Sequence, residues 1–214
     1  LMVNILDFIF PKKCLECKKP GCYLCEDCLN KILSPYYNQN VLKNSEIKNL
    51  VCLFPYKGVI RRAILALKYK FASDIALELS TVSLRKIKSL KVKFPKKAVL
   101  VPIPLHPKRQ NWRGFNQSGM VGKKIAQRMG WYFIPDLLQK TVNTKSQTEL
   151  KREERIISPK ESFQVNIKYK KALKYPIILF DDVYTTGSTL TEATKELRKE
   201  GARQILGLTI AKTS

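Results

Sequence analysis

The chain has 214 residues, with 40 Lys and Arg against 17 Asp and Glu, a formal charge of +23 and a hydrophobic share of 44%. That apolar share excludes disorder throughout, and the length suits one moderate domain or a small module joined to a larger one. Lys or Arg interrupts every candidate for the ~20 apolar residues of a membrane-spanning helix, and LMVNILDFIFPKK at the start has no secretory cleavage pattern, so the chain reads as cytoplasmic.

Five of the six cysteines fall between Cys14 and Cys28. A secreted disulfide framework spreads its cysteines to close loops, so metal is the better reading here, with unmetallated thiols and redox chemistry as the alternatives. Two C-x2-C turns can each supply half of a tetrahedral zinc site. Cys14 with Cys17 makes the first; Cys22, Cys25 and Cys28 offer two further pairs at this spacing, of which Cys25 with Cys28, running into the helical LNKIL and leaving seven residues to loop back from Cys17, makes the second. Cys22 is then spare. The chain divides into a zinc-binding module over 1–33, a polar linker over 34–48 and an α/β domain over 49–214. NLVCLFPY (49–56) reads as a buried strand, with Cys52 a core residue, and VIRRAILALKY after Gly58 as a helix. A second helix fits 71–90, a short strand AVLVPIP (98–104), and a helix 117–129. YPIILFDD (175–182) is the most apolar strand, STLTEATKELRKEG (188–201) a helix ending on Gly, and QILGLTIA (204–211) the closing strand. This alternation predicts a parallel sheet with helices as crossovers.

The charge is local. Residues 61–130 carry 17 basic and 2 acidic side chains, whereas 176–214 carry 5 of each. A Lys-rich proteome would raise every segment, so the concentration points to a surface that meets a polyanion, either nucleic acid or a phosphorylated ligand.

IILFDDVYTTGST runs from a buried strand into two carboxylates, a loop of hydroxyls and Gly, and a helix start. Backbone N–H groups and the hydroxyls of Thr185, Thr186, Ser188 and Thr189 surround a space at the positive end of a helix, which suits a phosphate. Asp181 and Asp182 cannot favour that phosphate electrostatically, so a neighbouring polyol or Mg-bound group is their natural partner. A ribose 5-phosphate fits both halves. Neither a Walker loop nor a dinucleotide fingerprint is present.

DDVYTTGST resembles the phosphoribosyl pyrophosphate (PRPP) motif of type I phosphoribosyltransferases. VPIPLHPKRQNWRGFNQS and the paired C-x2-C turns resemble the ComF (ComFC) competence family. The resemblance covers nearly the whole chain and implies a phosphoribosyltransferase-like sheet behind an N-terminal zinc module. It implies that Asp181 and Asp182, as the catalytic-site pair, hold the ribose hydroxyls, while the Val183-Tyr184-Thr185-Thr186-Gly187-Ser188-Thr189 segment holds the 5-phosphate. Pro104, Leu105, His106, Lys108 and Arg109 would surround the diphosphate and its Mg2+. The family's R-G-F-N-Q stands here as Arg113, Gly114, Phe115, Asn116 and Gln117. KT-x5-Q-x2-L-x4-R stands as Lys140, Thr141, Gln147, Leu150 and Arg155, in the segment that forms a flap in transferases, with Ser158 where the family usually has Asn. Two functions follow from the resemblance and the charge. One is a competence-associated protein that binds single-stranded DNA and carries a PRPP site. The other is an active Mg-dependent phosphoribosyltransferase with an unidentified nitrogen acceptor. Candidate DNA contacts are Arg61, Arg62, Lys68, Lys108, Arg109, Arg113, Lys140 and Arg155.

Overall fold

A computed structural model describes residues 11–32, 49–67, 72–90, 92–105, 114–140 and 163–213. In chain order these form α1 (Glu26–Asn30), β1 (Leu50–Pro55), α2 (Gly58–Ala66), α3 (Ala72–Ser89), β2 (Val99–Pro102) and α4 (Gln117–Met129). There follow β3 (Tyr132–Phe133), β4 (Leu138–Lys140), β5 (Phe163–Val165), a 3-10 helix (Ile167–Lys174), β6 (Ile177–Tyr184), α5 (Ser188–Lys199) and β7 (Ile205–Lys212). Five strands make one parallel sheet in the order β1-β7-β6-β2-β3, and β4 pairs antiparallel with β5 beside it. The expected architecture is therefore present: a parallel sheet flanked by helices, with a cysteine cluster at the N-terminal side.

Strand period explains how the two faces are covered. Val51, Leu53, Leu100, Ile178, Phe180, Leu208 and Ile210 point into one core with α2, α3 and α4. Leu50, Cys52, Val99, Val101, Ile177 and Leu179 point into the other, with Leu190, Ala193 and Leu197 of α5 and with the β4–β5 pair. Apolar residues on both faces give β6 its continuous IILF run, as buried parallel strands require. α4 ends on Gly130, whose φ of 70° closes the helix in the left-handed conformation that glycine adopts without Cβ strain.

The cysteine segment shares the first of these cores. Cys14, Leu24, Cys25, Cys28, Leu29 and Ile32 are buried with residues of α2 and α3, and polar links frame that contact. Glu78 of α3 accepts the backbone N–H groups of Tyr23 and Leu24 at 2.8 and 2.9 Å. Lys12 pairs with Asp74 at 3.2 Å. Glu16 and Glu26 pair in turn with Arg62 and Arg85. The only two acids of the strongly basic segment are thus both engaged with the cysteine segment. The expected linker over 34–48 lies outside the described residues. Among those described, no helix is long and apolar enough to cross a membrane.

Candidate functional site

The cysteine cluster is built by two short turns. In the first, Cys14 N–H donates to Lys19 O and Lys18 N–H donates back to Cys14 O, with Lys18 at φ 65° to tighten the loop. In the second, Cys25 stands at the N-cap of α1 and Cys28 lies within that helix. The Sγ atoms of Cys14, Cys17, Cys25 and Cys28 all lie within 4.8 Å of one another, with Cys17 and Cys25 at 3.5 Å. Tetrahedral zinc with Zn–S bonds of about 2.3 Å sets its sulfurs roughly 3.8 Å apart, so this donor set fits a metal such as zinc. Electrostatics split the four thiols. At Cys14 burial opposes ionisation, but backbone N–H groups of Cys25, Cys17 and Glu16 outweigh it and lower the thiol to about 6. At Cys28 burial and the hydrogen-bonded neighbouring thiols push it up to about 12. Cys22 is half-buried and is not a member of the cluster.

The acidic pair lies towards the C-terminal end of β6, under the start of α4. Ser118 Oγ donates to Asp181 Oδ1 at 3.2 Å, and Asp182 N–H donates to the same oxygen at 2.9 Å. One turn along α4, a Cβ on Gly122 would stand 3.0 Å from the Phe180 ring. Consecutive β6 residues therefore both face α4, which departs from strict alternation and turns Asp181 inwards. The start of α4 is itself fixed to the end of β2. Asn116 caps the helix through Gly119 N–H at 3.2 Å, and its Nδ2 donates to Ile103 O at 2.9 Å. Beside it Gln117 is buried, and its Nε2 has no partner among the described residues. Ser118 as the anchor of Asp181 was not apparent from the sequence; the polar N-Q-S run at a helix start is the only signal for it.

Burial and the neighbouring Asp182 carboxylate hold the Asp181 carboxyl well above the ordinary carboxylate range. Such a group binds its proton more tightly folded than unfolded. Its stability contribution is complete below the unfolded value of about 3.9 and is lost as pH rises through the raised folded value. Asp181→Asn, which keeps an acceptor for Ser118, should then raise the melting temperature of the ligand-free protein at neutral pH by a few degrees, at roughly 2–4 °C per kcal/mol for a chain of this size. The difference should shrink towards zero near pH 4. A pH series of melting curves that shows no such trend contradicts the stated environment of Asp181.

The loop after β6 puts Thr185, Thr186 and Ser188 in solvent and buries Gly187. Ser188 N–H donates to Thr186 Oγ1 at 3.4 Å, and the two hydroxyls lie 3.1 Å apart. Gly187 has φ 81°, and a Cβ there would sit 2.5 Å from Tyr184 Oη. Gly187→Ala should destabilise by roughly 2–4 kcal/mol, combining the left-handed penalty with overpacking. Chemical denaturation checks this, and a loss below 1 kcal/mol would contradict the close packing.

The remaining sequence-selected residues divide by place. Val183 and Thr189 flank the loop half-buried, and the Tyr184 side chain belongs to the core, leaving its backbone to the site. Pro104 and Leu105 follow the C-terminal end of β2. Arg61 is exposed over the Tyr56 ring, Arg62 is paired with Glu16, and Lys140 stands over the Phe163 ring. His106, Lys108, Arg109, Arg113, Lys68 and Arg155 lie outside the described residues, as does most of the expected flap.

No family model matches the chain. Competence protein F of Haemophilus influenzae is 26% identical, the match covering 95% of this chain and 96% of that protein. Competence protein ComFC of Streptococcus pneumoniae is 33% identical over 64% of this chain and 57% of its own length. The chain is a relative of the ComF competence proteins. DNA utilization protein YhgH of Salmonella typhimurium, 26% identical, matches 74% of this chain and 69% of its own length. Among solved structures, the allosteric regulatory enzyme of purine biosynthesis aligns with a TM-score of 0.42 at 13% identity, over 64% of this chain and 26% of that one. That structural likeness is too slight to inform the site of this ComF relative.

Proposed function

We propose that this ComF relative binds single-stranded DNA in natural transformation and holds PRPP with Mg2+ at the junction of β6 and α5. The reading is carried by one observation: a carboxylate pair near the C-terminal end of a central parallel strand leads directly into an exposed hydroxyl loop at a helix N-terminus. Ligands of parallel α/β sheets bind outside the carboxyl ends of strands, and a helix N-terminus suits phosphate. Asp181 and Asp182 would take the ribose hydroxyls, Thr185 to Thr189 the 5-phosphate, and Pro104, Leu105, His106, Lys108 and Arg109 the diphosphate. Mg2+ would neutralise charge on the diphosphate. The Gln117 amide, whose Nε2 has no partner among the described residues, would suit a polar ligand at this end of α4. The cysteine cluster holds zinc structurally and braces α2 and α3.

The DNA half of the reading is supported by the names of the relatives, which include competence and DNA utilization proteins, and by the basic 61–130 segment. Contacts from Lys and Arg to phosphates carry little sequence information. Binding to oligonucleotides of different sequence should therefore be similar in strength and weaken steeply with salt, with a log-log slope of roughly −0.7 per neutralised phosphate. Anisotropy titrations across a salt series test this, and absent or salt-insensitive binding contradicts it. The same site would also suit transfer of ribose 5-phosphate to a nitrogen nucleophile. Pyrophosphate release from PRPP across a panel of bases and amines separates turnover from binding alone.

A further inference from the structure

The acidic pair occupies the carboxyl-end half of the sheet, and the opposite end carries a feature with no part in that site. Val99, Tyr132 and Ile177 stand in one register row at the strand starts, with Ile205 beside Ile177. Backbone hydrogen bonds from Tyr132 to Ala98, Val99 to Pro176 and Ile177 to Gln204 lock that row at 2.8–3.0 Å. The residues just before these three acceptors are Lys97, Tyr175 and Arg203. Tyr132, on the edge strand β3, and Tyr175, ahead of β6, meet across the start of β2 with ring centroids 5.7 Å apart. Both residues are exposed, Tyr132 at 55% and Tyr175 at 42%, with their rings tilted 51° to each other.

A pair of tyrosines kept only for packing is usually buried; this one stays exposed at the hydrogen-bonded strand starts. Its neighbours in chain and register are cationic. Lys96, Lys97, Lys171, Lys174 and Arg203 are all exposed, and no ion pair joins any of them to an acid among the described residues. The acids at the end of α5 are occupied, Glu200 with Lys170 at 3.1 Å and Glu196 with Lys199 at 3.9 Å. Asp136 is the nearest exposed acid in sequence to Tyr132 and lies beyond the end of β3.

We propose that the strand-start end of the sheet, built on Tyr132 and Tyr175 and ringed by Lys96, Lys97, Lys171, Lys174 and Arg203, is a stacking platform for single-stranded nucleic acid. Aromatic faces take unpaired bases, and flanking cations take the phosphates between them, a combination that tolerates any sequence. A duplex offers no free base faces, which selects the single strand. The choice of nucleic acid rests on the DNA-handling reading above; the place rests on this geometry. Since it lies at the end of the sheet away from Asp181 and Asp182, strand and sugar phosphate would occupy the protein together.

The test uses the full zinc-loaded chain, a labelled oligo-dT and an abasic strand of the same length. Tyr132→Ala with Tyr175→Ala should weaken oligo-dT binding at least fivefold and leave the salt slope unchanged. The Tyr→Phe pair should stay within about twofold of the parent, because it keeps the stacking faces. The parent should bind the abasic strand about as weakly as the alanine pair binds oligo-dT. Lys96→Gln, Lys97→Gln and Lys174→Gln together should flatten the slope by about two units. If the parent binds oligo-dT and the alanine pair binds it equally well, the platform is wrong while the DNA reading stands. An equal loss in the phenylalanine pair also overturns stacking. A parent that binds no single strand at all fails both readings.

Discussion

Replacing Cys14 or Cys28 by Ser should release the metal and destabilise the whole described fold, with zinc content falling and the unfolding midpoint dropping well beyond the effect of an ordinary surface change. Losing one thiolate opens a tetrahedral site whose binding free energy, of order 10 kcal/mol or more in small zinc modules, is also folding free energy. The effect should spread because the cluster is not set apart: Cys14, Cys25 and Cys28 are buried in the same core as α2 and α3. Glu78, Asp74, Arg62 and Arg85 all depend on the cysteine segment for their partners. Cys22→Ser should retain full zinc, being outside the cluster. Metal analysis beside thermal unfolding reads both. Equal zinc loss for Cys22 and Cys14 would contradict the ligand set, and zinc loss without a fall in the sheet's stability would contradict the coupling.

The second large effect concerns the acidic pair. Asp181→Ala with Asp182→Ala should remove measurable Mg-PRPP binding while leaving a folded protein. Burial and the neighbouring Asp182 carboxylate disfavour a charge on Asp181, so the double variant should keep its fold even as Ser118 loses its acceptor. Two carboxylates that each bind ribose hydroxyls through charge-assisted hydrogen bonds at about 1.5–3 kcal/mol would together account for a loss of roughly a hundredfold or more. Calorimetry checks affinity and circular dichroism checks the fold. Wild-type affinity in the double variant would remove the sugar-phosphate reading of this pair.

Much of the frame was legible because each element carries its own periodicity. α4 runs Gln117–Met129 as the spacing predicts, since Asn116 caps it and Gly130 ends it. β6 continues through Asp182 to Tyr184, because the sheet pairs Val183 and Tyr184 with β7 beyond the acidic pair. Elements that depend on distant partners were not legible. β3 has two residues, too few for any period, and exists because β2 pairs with it. β4 and β5 pair although they are far apart in the chain. The 3-10 helix lies in a Lys-rich stretch with a single buried residue, Leu173. α1 starts at Glu26 rather than after Cys28, because Cys25 acts as its N-cap.

The site shows the same division. C-x2-C spacing limits the ligands to five cysteines, and the run from Cys28 into LNKIL with the loop back from Cys17 selects the four that cluster, since Cys22 and Cys25 share that spacing. Spacing says nothing of the Glu16–Arg62 and Glu26–Arg85 pairs that fasten the cluster to α2 and α3. Likewise DDVYTTGST marks a strand, a loop and a helix start, whereas Ser118 reaches Asp181 from 63 positions away. Only the fold reveals that contact. The aromatic pair at the other end of the sheet has no sequence motif, because Tyr132 and Tyr175 meet only through the register of β3, β2 and β6.

The most direct measurement is a calorimetric titration of the intact, zinc-loaded protein with Mg-PRPP, with ribose 5-phosphate and pyrophosphate titrated separately. If the hydroxyl loop after β6 takes the 5-phosphate and the carboxylate pair the ribose hydroxyls, as proposed, binding of Mg-PRPP should be saturable, one-to-one and tighter than that of either fragment alone. Absence of saturable heat from Mg-PRPP, in a sample shown to be folded and to hold its zinc, would contradict it.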